Sequence, residues 1–243
     1  MSQNKKRLNN TISKKLKHLY ENKVLNTVTP IHGWLDEMEI LYLNDIANRA
    51  VREINNIEYL LEIGSFMGRS TIAIALACKE QNKGKLIAID PHRNSFAHKR
   101  EKVTNSLNYL LRNLEKTKVD KYVKVQKQTS MEAFQQLKTI RTRFVYIDGD
   151  HEFNNVRNDF MAWNITLQNE GYLLIHDSIN IYGPRKMLFI LLLHPEYVYF
   201  GNVGDLACFQ KKKHLTLFSW VKKLYAYILF RLLFYKIYRP AIQ

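Results

Sequence analysis

Cysteine is scarce in this chain. Only Cys78 and Cys208 occur in 243 residues, and neither shows the spacing of a zinc site or a redox pair. Disulfide and zinc scaffolds are thereby excluded, and a reducing compartment is expected. The first residues are lysines and asparagines, without the apolar run and small-residue cleavage site of a secretory signal, so a cytoplasmic location is expected. Internal repeats and low-complexity linkers are also missing. With 46% hydrophobic residues the chain can nevertheless bury a substantial core without staples.

Acid is missing from one region in particular: residues 211–243 hold eight Lys and Arg and no Asp or Glu. Residues 1–25 hold seven bases against Glu21 alone, so 26–210 keeps 22 bases and 21 acids although the whole chain carries +15. A nucleic-acid enzyme would carry its basic stripe across the catalytic face, where phosphates must be held in register. A neutral body with basic ends points instead to an anionic surface such as a membrane, and no nucleic-acid partner is expected. The division expected is a basic extension (1–25), a catalytic domain (26–212) and a basic apolar C-terminal helix (213–243).

Short apolar runs alternate with helical patterns through the middle, which predicts an α/β fold with a parallel sheet and crossover helices. Strands are expected at 58–63, 85–90, 122–126, 143–148 and 171–176, and a closing pair at 197–200 and 205–210. Helices are expected at 70–79, 96–114, 131–137 and 155–167. Five strand–helix units and two further strands match a seven-stranded Rossmann-like sheet, mostly parallel, with helices on both faces.

The strongest local signal is YLLEIGSFMGRST at 59–71: an apolar strand ending in Glu62, a glycine turn, then a helix start. Gly64, Ser65, Gly68 and Ser70 would bring backbone N–H groups and a helix N-terminus to a ligand at the strand's carboxyl end. A dinucleotide fingerprint needs a second glycine two residues after Gly64, and this chain has Phe66, whose ring would obstruct a pyrophosphate. That disfavours a nicotinamide oxidoreductase. S-adenosylmethionine carries no phosphate, and its amino-acid head could meet Gly64, Ser65 and Glu62. The next strand ends at Asp90, a carboxylate placed to accept both hydroxyls of a ribose. Ser130, in QTSMEAF after the third strand, is either a contact near an adenine or a helix N-cap.

The segments IHGWLDEME (31–39), EIGSFMGRST (62–71), AIDPH (88–92), YIDGDHEFNNVRNDFMAW (146–163) and GYLLIHDS (171–178) together resemble the class I methyltransferase family that includes macrocin-type sugar O-methyltransferases. The resemblance spans roughly 28–212. It implies S-adenosylmethionine as cofactor, and a sugar hydroxyl, in a glycan or glycolipid, as acceptor. Trp34 and Glu39, in the first segment, either close over the cofactor or pack.

The fourth strand ends in Asp148, Asp150 and His151, and the fifth in His176 and Asp177. Clustered acids and histidines on neighbouring strand ends can hold a hard cation and accept a proton. Asp148 is the candidate for both cofactor and acceptor contact, and His151, three residues on, is the candidate general base. The resemblance implies a metal such as Mg²⁺ on Asp148 and Asp177. Ser178 is the remaining donor in the HDS sequence, where relatives have a second acid or an amide, so the third ligand and a metal-free route stay open. Asp159 and Trp163 are expected to support this loop, and His176 to be either a site residue or a buried neighbour of one.

From Leu215 to Tyr238 the chain is dense in Leu, Phe, Tyr, Trp and Ile, yet its longest stretches without charge, Leu215 to Val221 and Leu224 to Phe230, are seven residues each. A spanning helix needs about 20 apolar residues, so the tail is not expected to cross a membrane. It either lies peripherally on a membrane through 211–243, on the inner face, or packs on the domain or on a second copy in a homo-oligomer. The reading from sequence is a methyltransferase acting on a sugar hydroxyl. Its rivals are a methyltransferase of a non-sugar small molecule and a membrane-bound binding protein without catalysis.

Overall fold

Runs such as LIAI at 86–89, with every residue buried, form strands covered on both faces, as a parallel sheet requires. A computed structural model describes residues 17–55, 57–93 and 96–237. Its strands are β1 (Glu58–Ile63), β2 (Leu86–Ile89), β3 (Val123–Gln126), β4 (Arg141–Ile147), β5 (Leu167–Ile175), β6 (Tyr197–Val203) and β7 (Leu206–Lys211). They make one sheet in the order β3-β2-β1-β4-β5-β7-β6. β1 to β5 are parallel, and β7 runs antiparallel to both β5 and β6. The expected seven-stranded Rossmann-like fold is what the chain adopts. The order reverses at β1, between β2 and β4, so the carboxyl ends of these strands open a crevice.

Helices cover both faces. A helix over 17–28 (α1), α2 (Glu37–Glu53), α3 (Arg69–Glu80) and α5 (Leu107–Thr117) enclose one core with Leu60, Phe144, Leu174 and Cys208. On the other side α6 (Ser130–Leu137), α7 (Phe153–Trp163), α8 (Tyr182–Leu193) and α9 (Leu217–Ile237) enclose Leu61, Val145, Leu173 and Phe209. Successive residues of one strand feed opposite cores because strand side chains alternate.

Several expectations are corrected. Residues 17–25 are not an extension: they belong to α1, whose Val24 and Val28 are buried in the main core. Residues 1–16 of the expected extension lie outside the described residues. The helix expected at 96–114 is two, α4 (Phe96–Glu101) and α5, because Ser106 between them turns its hydroxyl inward to His92 and His98. The helix expected to reach Leu167 stops at Trp163, and Leu167 opens β5 instead. A turn at 163–166 presents the Thr166 carbonyl to the Thr142 amide of β4. Sequence periodicity did not mark α2 or α8. α2 is set by a capping box in which Asp36 accepts from the Glu39 amide and Glu39 accepts from the Asp36 amide.

Candidate active site

The loop between β1 and α3 is shaped by two glycines. Gly64 has φ +90°, and a Cβ there would lie 2.1 Å from the carbonyl oxygen of Asp148, so the loop can sit against the end of β4 only without a side chain. Gly68, at φ +96°, is the N-cap of α3 and offers no side-chain cap, leaving the first turn's N–H groups for another acceptor. Ser65 is buried with its Oγ lacking a hydrogen-bond partner. Phe66, at φ 41°, donates its N–H to Asp90 Oδ2 at 2.8 Å. Asp90 also accepts from the His92 N–H through Oδ1 at 2.6 Å. Each of these oxygens retains a lone pair, enough to accept the two hydroxyls of a ribose. The Phe66 ring packs on Trp34, with centroids 5.3 Å apart, and on His98 at 5.4 Å, so Trp34 closes over this loop.

Two residues expected to touch a cofactor are bonded to each other. Glu62 has no exposed surface, and its oxygens accept from Ser70 Oγ (2.5 Å) and Thr71 Oγ1 (2.6 Å). Burial pushes its carboxyl up to about 8, although the two hydroxyls pull the other way. Glu62 and Ser70 therefore bind each other and tie the end of β1 to the start of α3. Ser130 is not the N-cap of α6, a role taken by Thr129 in a capping box with Glu132. Ser130 Oγ instead accepts from the Trp163 indole at 2.9 Å and binds Asp159, whose burial raises its carboxyl to about 6. Asp159 and Trp163 thus hold the start of α6, whereas they were expected to support the loop after β4.

The ends of β4 and β5 lie side by side in register, Ile147 opposite Ile175, and bring Asp148, His151, His176 and Asp177 together. His151 Nε2 is 2.8 Å from Asp177 Oδ2. His176 Nδ1 lies 3.2 Å from Asp148 Oδ1 and 3.6 Å from Asp177 Oδ2, and its Nε2 is 3.5 Å from Glu39 Oε2. Burial alone would strip His176 of its proton, but Asp148, Asp177 and Glu39 together hold its pKa well above the ordinary value. Burial would likewise raise Asp177, yet hydrogen bonds from His151 and His176 hold its carboxyl well below the usual range. His151 is raised by its hydrogen bond to Asp177. Asp148 further accepts from the buried Tyr146 hydroxyl at 2.9 Å. Asp150 turns outward, where it accepts from the Glu152 amide and the Asn155 side chain at the start of α7.

Glu39 joins this cluster from α2 and accepts the Asp205 N–H at 2.7 Å, tying α2 to the β6–β7 turn. Sequence reading left Glu39 either to close over the cofactor or to pack. The one signal available was its i+3 spacing from Asp36, which marks a cap and not a site. Ser178 is fully buried and its hydroxyl donates to the Asp205 carbonyl at 2.7 Å. Ligand atoms of Asp148, His151 and Asp177 lie within 4.8 Å of one another. Two carboxylates and an imidazole are donors that suit a divalent cation.

Residues 61–178, which run from β1 through the HDS segment, match a family profile described as a methyltransferase domain. No match is found among curated proteins. Among solved structures the chain is similar to the O-methyltransferase NovP (14% identity over 75% of this chain and 83% of that one, TM-score 0.59). It is also similar to the O-methyltransferase TomG from Streptomyces achromogenes, involved in tomaymycin synthesis and solved with S-adenosylmethionine (15%, 74% and 81%, TM-score 0.56). A third is an O-methyltransferase from Bacillus cereus solved with S-adenosylhomocysteine (16%, 79% and 90%, TM-score 0.56). The fold is that of the Rossmann-like methyltransferases, and the residues that match the methyltransferase-domain profile include Gly64, Asp90, Asp148, His151 and Asp177.

Proposed function

We propose that this chain is an enzyme that moves the methyl group of S-adenosylmethionine to a hydroxyl of a sugar, in a glycan or glycolipid at the inner face of a membrane. One observation carries the chemistry: a histidine–carboxylate pair, His151 and Asp177 at 2.8 Å, stands beside Asp148 at the crevice formed by β1, β4 and β5. The sulfonium of S-adenosylmethionine supplies an activated methyl group. Methylating an alcohol then requires an aligned oxygen and removal of its proton. Asp90 would hold the ribose, and Gly64, Ser65 and Gly68 the amino-acid head, with the uncapped start of α3 facing its carboxylate. Asp148 orients the acceptor hydroxyl. His151 takes its proton, and the imidazolium formed keeps Asp177 as counter-ion across Nε2.

A divalent cation such as Mg²⁺, bound by Asp148 and Asp177, would make the acceptor hydroxyl more acidic. If His151 completes the ligand set its nitrogen is no longer the base, a second reading supported by the three clustered ligand atoms. The acceptor class is supported by the five-segment resemblance noted above, and the rival is a non-sugar small molecule.

The test is transfer of an isotopically labelled methyl group from S-adenosylmethionine to glycan and glycolipid fractions, with calorimetry for cofactor binding. S-adenosylmethionine and S-adenosylhomocysteine should bind and NAD should not, and Asp148→Asn should abolish transfer while leaving cofactor affinity largely intact. Equal or tighter binding of NAD would sink the reading. Activity lost in excess chelator and restored by Mg²⁺ would favour the metal route, and full activity there the metal-free one.

A further inference from the structure

α9 has two unlike sides. One is a stripe of Lys223, Ala226, Tyr227 and Phe230, at helical spacing, packed on α8 and β6. Lys223 Nζ donates to the His194 carbonyl at 2.5 Å and lies 4.1 Å from the centre of the Trp220 ring, while Phe230 meets Tyr199 and Tyr227 meets Phe189. Part of the tail's charge is thereby spent on the domain itself. Lys211 binds the carbonyls of Asn164 and Leu167, and Lys212 pairs with Glu170.

The other side faces out. Leu217, Val221, Leu224, Tyr225, Ile228 and Leu232 are each 50–81% exposed. At about 100° per residue these six fall within an arc of roughly 100°, opposite the packed stripe. Arg231, exposed, falls about 20° outside one margin, while Lys222 falls about 60° beyond the other, toward the packed side, where its Nζ donates to the Phe200 carbonyl at 3.2 Å. Six large apolar side chains at such exposure exceed the few hundred Å² that a soluble monomer ordinarily leaves bare. No helix among the described residues is long and apolar enough to cross a membrane.

We propose that this face of α9 lies flat on an anionic lipid bilayer, its apolar arc in the acyl boundary and Arg231, at its margin, reaching to the headgroups. Charge complementarity selects this occupant. A second copy would set two such cations face to face, and no Asp or Glu follows Asp205 in the sequence to pair them, whereas anionic headgroups do. The direction of the helix adds a consequence. Lys223 meets His194 and Arg231 meets Phe189, so α9 runs antiparallel to α8, back toward the end of the sheet where α8 follows Asp177. A bilayer on α9 then extends toward the crevice, within reach of a membrane-borne acceptor; this last clause rests on the proposed methyl transfer.

The test uses the full chain in flotation with vesicles of phosphatidylcholine and phosphatidylglycerol, roughly three to one, and of phosphatidylcholine alone. Binding should be at least about tenfold tighter to the anionic vesicles and weaken with salt. Leu224→Ser/Ile228→Ser/Leu232→Ser, on the outward face, should weaken it about tenfold or more without changing the melting temperature, and Arg231→Glu should reduce the anionic preference. Methylation of a soluble acceptor should continue in both variants, which separates failure of docking from failure of the catalytic reading. The proposal is overturned if the intact protein ignores both vesicles, or if both variants bind as the parent does. It is equally overturned if light scattering shows a dimer that the triple variant dissociates while vesicles are ignored.

Discussion

Replacing Glu62 by glutamine should stabilise the protein, and more so as pH rises. The carboxyl is fully buried, and burial pushes it up to about 8 despite the hydroxyls of Ser70 and Thr71. In the unfolded chain the same group is an ordinary glutamate that loses its proton near ~4.3. Between these values the unfolded state is ionised while the folded state keeps its proton. The folded state therefore binds more protons, and stability falls by about 1.4 kcal/mol for each unit of rising pH. This contribution is present below the unfolded pKa and is lost as pH climbs toward about 8, where the slope ends. From about pH 5 to about pH 7 the loss is roughly 2–3 kcal/mol, a large part of a typical 5–15 kcal/mol of net stability. Glutamine keeps the shape and an acceptor for one of the hydroxyls and has no such slope. Urea unfolding of both proteins at a series of pH values should show the free-energy gap widening by that amount, then levelling. A gap that stays constant across the series would refute the buried neutral carboxyl.

Gly64→Ala should cost about 2 kcal/mol or more of stability in thermal melts and weaken S-adenosylmethionine binding, since the added Cβ meets the Asp148 carbonyl at 2.1 Å from a backbone at φ +90°. Normal binding and melting would mean that the loop has room to shift. Ser178→Ala should lose about 1 kcal/mol with its hydrogen bond to the Asp205 carbonyl, yet leave turnover and cation affinity unchanged. Weakened cation binding in titration calorimetry would restore Ser178 to the ligand set. His151→Ala should slow the transfer step by roughly 10²- to 10⁴-fold in single-turnover measurements, the usual worth of a positioned base. A loss confined to acceptor KM would make His151 a binding residue only.

The sheet was legible because its signals are local. β1, β2 and β4 are apolar runs ending in an acid, and the glycine turn after β1 follows from the few residues that make it. Asp90, Asp148 and Asp177 could be assigned to the crevice because a residue just past a parallel strand lies there whatever its neighbours do. The bond between Glu62 and Ser70 was not legible for the complementary reason. Both flank the loop in sequence, but the direction of each side chain is set by how α3 returns against β1, and that return leaves the two facing each other.

By itself the sequence determined the strand–helix alternation, the glycine loop, the acids at the strand ends and the concentration of charge at the chain's ends. Each of these is a matter of residue type and short-range spacing. Only the tertiary structure decided which groups meet. Ser178 turned to Asp205 once the β6–β7 turn closed over it, His151 came to Asp177, and Glu39 arrived from α2 more than a hundred residues away to face His176. It also decided which side of α9 is covered, because Lys223 is buried only where α8 and β6 offer the His194 carbonyl and a packed surface. The physical reason is the same in each case: a buried polar group must find a partner, and that partner is supplied by segments distant in sequence that only folding brings within hydrogen-bond reach.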